Sequence, residues 1–316
     1  MFIKFLKEIT KNDTSMAGGK GASLGELIQV GIPVPVGFVI LTYGFDSLLH
    51  SAGLIAEIEA TLDQVNHEDT NSVEKASEKI QGLILNAVIP KEIEDETIKS
   101  FKVLGAKFVA VRSSATAEDS SLTSWAGELE TYLNTTRATL LENVKKCWSS
   151  LFTPRAIFYR FEKGLHKVSV GVAVVVQKMI ESEVSGVAFS VHPVTEDRNQ
   201  MIIEAVFGLG EALVSGSLTP DSYVIEKGNF SIIDINISEQ ERKLVRKRGG
   251  GNEWIGVEAD LKQAQKLSKE QIVKLSQIIV KIENHFGFPV DVEWTIERGE
   301  IFITQSRPIT TLAPNP

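Results

Sequence analysis

Cysteine is almost missing from this sequence. Cys147 is the single thiol in 316 residues, which excludes an internal disulfide and any zinc site built from several cysteines. Long apolar runs are missing too: the longest aliphatic stretch, Val172 to Val176 with its neighbours, falls far short of the roughly 18 to 20 residues a membrane-spanning helix needs. The opening MFIKFLKEIT lacks a long apolar core followed by a small-residue cleavage site, so no secretory leader is expected. Basic residues are the minority, 33 Lys and Arg against 41 Asp and Glu for a net charge of -8, which argues against a general nucleic-acid footprint. None of the five histidines, His50, His67, His166, His192 and His285, stands in a metal-binding spacing with another. No internal repeat or low-complexity segment occurs. These absences predict a cytoplasmic protein with neither a nucleic-acid nor a membrane partner.

What is present is globular: 43% hydrophobic and 23% charged residues, at a length that predicts two domains or one bilobed unit at roughly 150 residues each. Leu24, Leu27 and Ile28 recur at helical spacing between Lys20 and Val30, with Gly31 placed to end that helix. Val34 to Leu41 reads as a strand. Residues 44 to 104 read as several helices, the last preceded by Pro90. A buried strand at Phe108 to Val111, a polar Ser/Thr loop and a strand near Glu130 to Leu133 follow. Helices are predicted at about 137 to 150 and 154 to 163, the second opening on Pro154. After Gly164 the texture changes to short β-branched runs: Val170 to Val176, Gly186 to Val191, Met201 to Val206, Tyr223 to Glu226 and Ser231 to Ile237. A helix from Lys269 to Phe286, capped by Ser268 and stopped at Gly287, precedes strands Val290 to Ile296 and Ile301 to Gln305 joined by a tight turn. The fold class is therefore α/β in the broad sense (α+β). The expected boundary lies near residue 200, with 1–200 a mixed half and 201–316 a β-rich half.

Three clusters carry chemistry. In AGGKGASLGEL, Ala17 to Leu27, the glycines let the backbone approach a ligand, Lys20 supplies an ammonium, and the helix that follows offers N–H groups to an anion. The pattern departs from a P-loop, since Gly21 follows the lysine and Thr14 stands where the first glycine belongs. An ordinary loop with a solvated lysine is the alternative. In VRSSATAEDSS, Val111 to Ser121, Arg112 leaves the end of a buried strand into a hydroxyl-rich segment suited to folding over phosphates, or else forms a local salt bridge in a surface loop. In DVEWTIERGEIFITQSRP, Asp291 and Glu293 share one strand face, and Gln305 and Arg307 alternate likewise on the partner strand. Two carboxylates, an amide oxygen and a guanidinium there match the oxygen ligands of Mg²⁺ and the fork that grips phosphate; a cross-strand salt-bridge ladder is the rival. FGLGEALVSG lacks the third glycine of a dinucleotide fingerprint. The run from Arg242 to Arg248 reads as a solvated hairpin tip, and Cys147 as core.

Taken in order, AGGKGASLGEL, VRSSATAEDSS with AGELETYLN, VVVQKMI, SGVAFSVHPVT, GLGEALVSGSLTPDSY, DVEW and QSRP resemble the ATP-binding domain of the phosphoenolpyruvate synthase and pyruvate phosphate dikinase family, which rifampin phosphotransferases share. The resemblance covers essentially the whole chain. It implies an ATP-grasp fold whose two lobes clamp ATP and Mg²⁺. By motif, Lys20 and Arg112 would contact the phosphates, and the segment Ser114, Ala115, Thr116 to Asp119 would close over them. Gln177, Met179 and Ile180 would form the adenine hinge, and Glu211 would lie in the nucleotide pocket. Glu293 and Gln305 would bind the metal with Asp291 in support, and Arg307 would hold the transferring phosphoryl group. Family members continue past QSRP, where only Thr310 to Pro316 follow here. The resemblance therefore implies a phosphoacceptor histidine domain supplied in trans or by a missing C-terminal part, with the final acceptor, pyruvate or a rifamycin, chosen outside this chain.

Overall fold

The computed structural model describes residues 1–116, 130–164 and 171–312. Its contacts fall into two compact units, one of Met1–Glu26 with Val36–Met179 and one of Leu27–Pro35 with Ile180–Pro316.

The first unit runs β1 (Ile3–Phe5), α1 (Thr14–Gln29, all but its last residues), β2 (Gly37–Ile40), α2 (Thr42–Ser51), α3 (Ile55–Asp63), α4 (Thr70–Asn86), α5 (Lys91–Leu104), β3 (Val109–Ala115), β4 (Thr131–Thr135), α6 (Leu140–Ser149), α7 (Pro154–Glu162) and β5 (Val172–Lys178). The sheet order is β1-β2-β5-β3-β4, antiparallel throughout. One face carries Val109, Val111, Val172, Val174 and Val176 into a core with Leu48, Ile80, Ile84, Val144, Cys147 and Trp148 from the helices. The helices across 44–104 form as their apolar spacing predicts. Pro154 opens α7, where the Thr153 hydroxyl accepts from the Ala156 N–H at 3.2 Å. The strand expected at Phe108 to Val111 instead continues to Ala115, because β5 pairs with it through Ala115↔Val172. Ser113 and Ser114, read as the start of a polar loop, are thus fully buried strand residues. Backbone pairing along a long apolar partner outweighs their turn preference.

The second unit comprises β6 (Val184–Phe189), β7 (Gln200–Phe207), the short α8 (Glu211–Val214), β8 (Asp221–Glu226), β9 (Ile232–Asn236), the hairpin β10 (Arg242–Arg246) and β11 (Asn252–Gly256), α9 (Lys269–Phe286), β12 (Val290–Glu297) and β13 (Glu300–Pro308). A six-stranded antiparallel sheet has the order β13-β12-β6-β7-β8-β9. Ile272, Leu275, Ile279 and Ile282 of α9 pack on Val292, Trp294, Ile296 and Ile303. Ser268 caps α9 with a reciprocal bond to Gln271, as its sequence position predicts. At the β12–β13 turn, Arg298 (φ 53°) and Gly299 (φ 77°) both take the left-handed backbone that a two-residue hairpin of this twist demands.

The boundary falls between Met179 and Ile180 rather than near residue 200. β6 bonds to both β7 and β12, which draws it into the second sheet. The early segment Leu27–Pro35 joins the second unit as well: Leu27 and Ile32 lie in its core, and the Ile303 N–H donates to Pro33 O at 2.8 Å.

A fully buried ion pair locks this unit. Lys266 Nζ stands 2.6 Å from Asp221 Oδ1, with both side chains 0% exposed. The Asp221 carboxylate also accepts from Ser238 N at 2.9 Å, Lys266 N at 2.9 Å and the Tyr223 hydroxyl at 2.8 Å, while the ammonium donates to Ser238 O and faces the Phe207 ring. Each ion is hydrogen-bonded, the condition under which a buried charge is tolerated, and removing one partner strands the other. Lys266→Met is expected to destabilise the protein by about 3–5 kcal/mol in urea unfolding, with Asp221→Leu added to it recovering most of that loss; a single variant of native stability would show the pair to be dispensable.

Candidate functional site

In the first unit, alternation along β3 puts Arg112 and Ser114 on the sheet face away from the helical core. Gln177 of β5, paired with Ala110, lies on that same face. α1 packs here through glycine. Gly18 (φ 71°, ψ 173°) breaks the helix, and a Cβ there would collide with the Ser114 carbonyl oxygen. The Ser114 hydroxyl donates to Ala17 O at 2.9 Å and accepts from Gly21 N at 3.1 Å. The glycine-rich stretch is therefore a close helix–strand junction, and it holds half-buried Lys20 on the face that carries Arg112, which is 8% exposed. Cys147 is core, as expected. Burial pushes its thiol well above the ordinary range; Glu130 adds to that, and Lys20 partly opposes it.

The remaining residues of this unit are placed more variously. The Ala115 methyl lies in the helical core, leaving only its backbone to face anything else. Thr116 N donates to Gly171 O at 3.0 Å. Asp119 lies outside the described residues. Gln177 is buried, the Met179 N–H donates to Phe108 O at 3.1 Å, and Ile180 is the first residue of the second unit. Glu211, in the second unit, is exposed at the start of α8 and accepts from the Asn252 side chain.

The second unit carries the most ordered cluster. Asp291 of β12 faces Arg307 of β13, and Glu293 faces Gln305, as direct cross-strand partners. Arg307 donates to one oxygen of Asp291 through Nε at 2.7 Å, and its Nη2 lies 2.7 Å from the same oxygen. The sequence alternation thus places all four side chains together. The structure adds a fifth. Glu204 of β7 pairs with Val187 of β6, which pairs with Glu293, so Glu204 stands on the same face one row along from Asp291. The signal for it was present: Glu204 is the single charge in the apolar run MIIEAVF.

Burial raises the Asp291 carboxyl above the ordinary range, Arg307 opposes this, and Glu293 adds to it. Burial likewise raises Glu204, with the Asp291 charge contributing. Among the described residues no three His, Cys, Asp or Glu side chains converge to hold a metal by themselves. Gln305 is 7% exposed, however, and its Oε1 has no hydrogen-bond donor. A buried amide oxygen without a partner is costly in water-free surroundings and is suited to a cation. Glu293 with Gln305 fits Mg²⁺, which takes one or two protein oxygens and completes its shell with water and phosphate.

A family model described as pyruvate phosphate dikinase, AMP/ATP-binding domain, matches residues 14–315. The chain belongs to this family. Similar proteins include a probable phosphoenolpyruvate synthase of Archaeoglobus fulgidus, 46% identical over 320 residues, which cover 99% of this chain and 42% of that protein. Another probable phosphoenolpyruvate synthase, of Methanocaldococcus jannaschii, is 42% identical over 318 residues, covering 98% and 27% respectively. A rifampicin phosphotransferase of Bacillus subtilis is 40% identical over 314 residues, covering 98% and 36%. The chain spans less than half the length of each. The family is one of ATP-binding domains in phosphotransferases, and among the described residues no helix is long and apolar enough to cross a membrane.

The raised carboxyls set a pH dependence. Folded Asp291 and Glu204 hold protons to higher pH than they do unfolded, so in that window the folded state binds more protons and stability falls as pH rises. Metal-free protein unfolded in urea at successive pH values is expected to lose stability as pH rises above the ordinary carboxylate range, about pH 4, by an amount that Glu204→Gln reduces; an identical slope in the variant would refute the assignment.

Proposed function

We propose that the chain is an ATP-grasp domain, two lobes closing on one nucleotide, that binds ATP with Mg²⁺ and donates a phosphoryl or pyrophosphoryl group to a histidine on a partner domain. That partner is supplied in trans or by further C-terminal sequence. The observation that carries the reading is the register Asp291↔Arg307 and Glu293↔Gln305 beside the donor-less Gln305 oxygen. Phosphoryl transfer asks the protein for positioning and charge neutralisation more than for a nucleophile, and these residues supply both.

Arg307 is the group for the transferring phosphoryl. Asp291 grips Nε and Nη2 from one side, which fixes the plane of the guanidinium and orients its remaining N–H groups. Lys20 and Arg112 hold the other phosphates, with Ser114 locking the helix start that carries Lys20. Ala115 and Thr116 border these phosphates through their backbone. Gln177, Met179 and Ile180 border the adenine, with Glu211 near the nucleotide. Glu293 and Gln305 hold Mg²⁺, supported by Asp291, and the ion supplies charge neutralisation at the phosphate oxygens when bound.

The A. fulgidus and B. subtilis relatives match at similar identity, 46% and 40%, so the proposal concerns the donor half of the reaction, common to pyruvate and rifamycin acceptors. The test supplies ATP labelled separately at the β and γ positions, Mg²⁺ and a histidine domain from a phosphoenolpyruvate synthase. Label on the histidine domain is expected. Arg307→Ala should lower transfer by at least about 100-fold, and Glu293→Ala should remove the metal dependence of ATP binding. Native transfer rates in both variants would overturn the roles, and ATP binding without labelled partner would point to a nucleotide sensor instead.

A further inference from the structure

In the row of the second sheet that holds Glu293 and Gln305, a half-buried carboxylate is left unused by the proposed chemistry. Gln305, Glu293, Val187 and Glu204 form a single row across β13, β12, β6 and β7, and direct cross-strand partners point to the same face. One row along, Asp291 and Arg307 neutralise each other. Within the row itself, Glu293 and Glu204 are the two carboxylates. Among the described residues no hydrogen-bond donor or cation meets the Glu204 carboxylate, although Glu204 is half-buried. A negative charge drawn partly out of water in the middle of an apolar strand is unfavourable unless a ligand brings the countercharge.

Two observations limit what that ligand contact is. The buried Gln305 oxygen without a donor marks the Glu293 end of the row as the place for a cation. The acidic side chains do not converge on one point, so Glu204 is not a third direct ligand. Its backbone lies two strand spacings, roughly 9–10 Å, from that of Glu293. An ion that keeps several of its waters, as Mg²⁺ does, presents those waters to carboxylates in just such an outer position.

We infer that Glu204 is an outer-sphere carboxylate of the divalent-cation site, accepting hydrogen bonds from metal-bound water and supplying the second negative charge that matches a divalent ion. It is a positioning residue, acting through the water shell, and the inference rests on the proposed Mg²⁺ site at Glu293 and Gln305. Losing such a partner typically weakens metal binding by 10- to 100-fold.

The test titrates Mn²⁺ by EPR into the protein together with an ATP analogue that has a non-hydrolysable β–γ bridge. Glu204→Gln should weaken Mn²⁺ binding by about 10-fold or more, with Glu204→Asp intermediate. The analogue's affinity without metal should stay within about twofold of native. Ser222→Ala, the next position in the row on β8, should leave Mn²⁺ affinity unchanged. Native Mn²⁺ affinity in both Glu204 variants, with binding lost in Glu293→Gln, would overturn this inference and leave the proposed function standing. Absence of Mn²⁺ binding by the native protein with the analogue would overturn both.

Discussion

The antiparallel register of β12 with β13 is the constraint on which the site depends. Because Asp291 falls opposite Arg307 and Glu293 opposite Gln305, one hairpin turn fixes the four polar side chains of the candidate site at once. A slip by one residue would send them all to the face under α9, where Val292 and Trp294 now sit. Register is held from both ends: the turn accepts only the left-handed pair at Arg298 and Gly299, and the apolar alternates of β12 are buried by α9. The polar cluster on one face is thus secured by hydrophobic packing on the other.

The first unit reaches a similar result by a different device. Its sheet buries valines on the helical side, which leaves Arg112, Ser114 and Gln177 on the other. The helix that lies on this polar side comes close enough only because Gly18 has no side chain. Ser114 then bonds to both sides of the break. Lys20 owes its place to that junction, so the sequence feature that first suggests phosphate chemistry contributes indirectly, by bringing the lysine to a strand.

Local pattern made much of this legible. Period-two alternation placed Asp291, Glu293, Gln305 and Arg307 together, and caps such as Ser268 and Thr153 with Pro154 marked helix starts. What stayed hidden depends on pairing between distant segments. Glu204 joins the cluster only because β6 lies between β7 and β12. Ser113 and Ser114 look like loop residues until β5 extends the strand through them. Asp221 and Lys266, ordinary surface types by composition, become a sealed pair only when the chain between β11 and α9 folds back over β8. The domain boundary failed for the same reason, since hydrogen bonding rather than chain order assigns β6 to its sheet.

The interleaving of the units has a consequence for how the polypeptide becomes a protein. Leu27–Pro35 is synthesised well before its partners, which include Ile303. The first unit has all of its own sequence once Met179 has emerged, while Leu27 and Ile32 still await the core that will cover them. A fragment ending at residue 179 would display those apolar side chains to solvent, and one starting at residue 180 would lack a piece of its own interior. The two halves are separable as compact bodies but not as contiguous stretches of gene, so dissecting this domain requires transplanting the nine-residue segment along with the second unit.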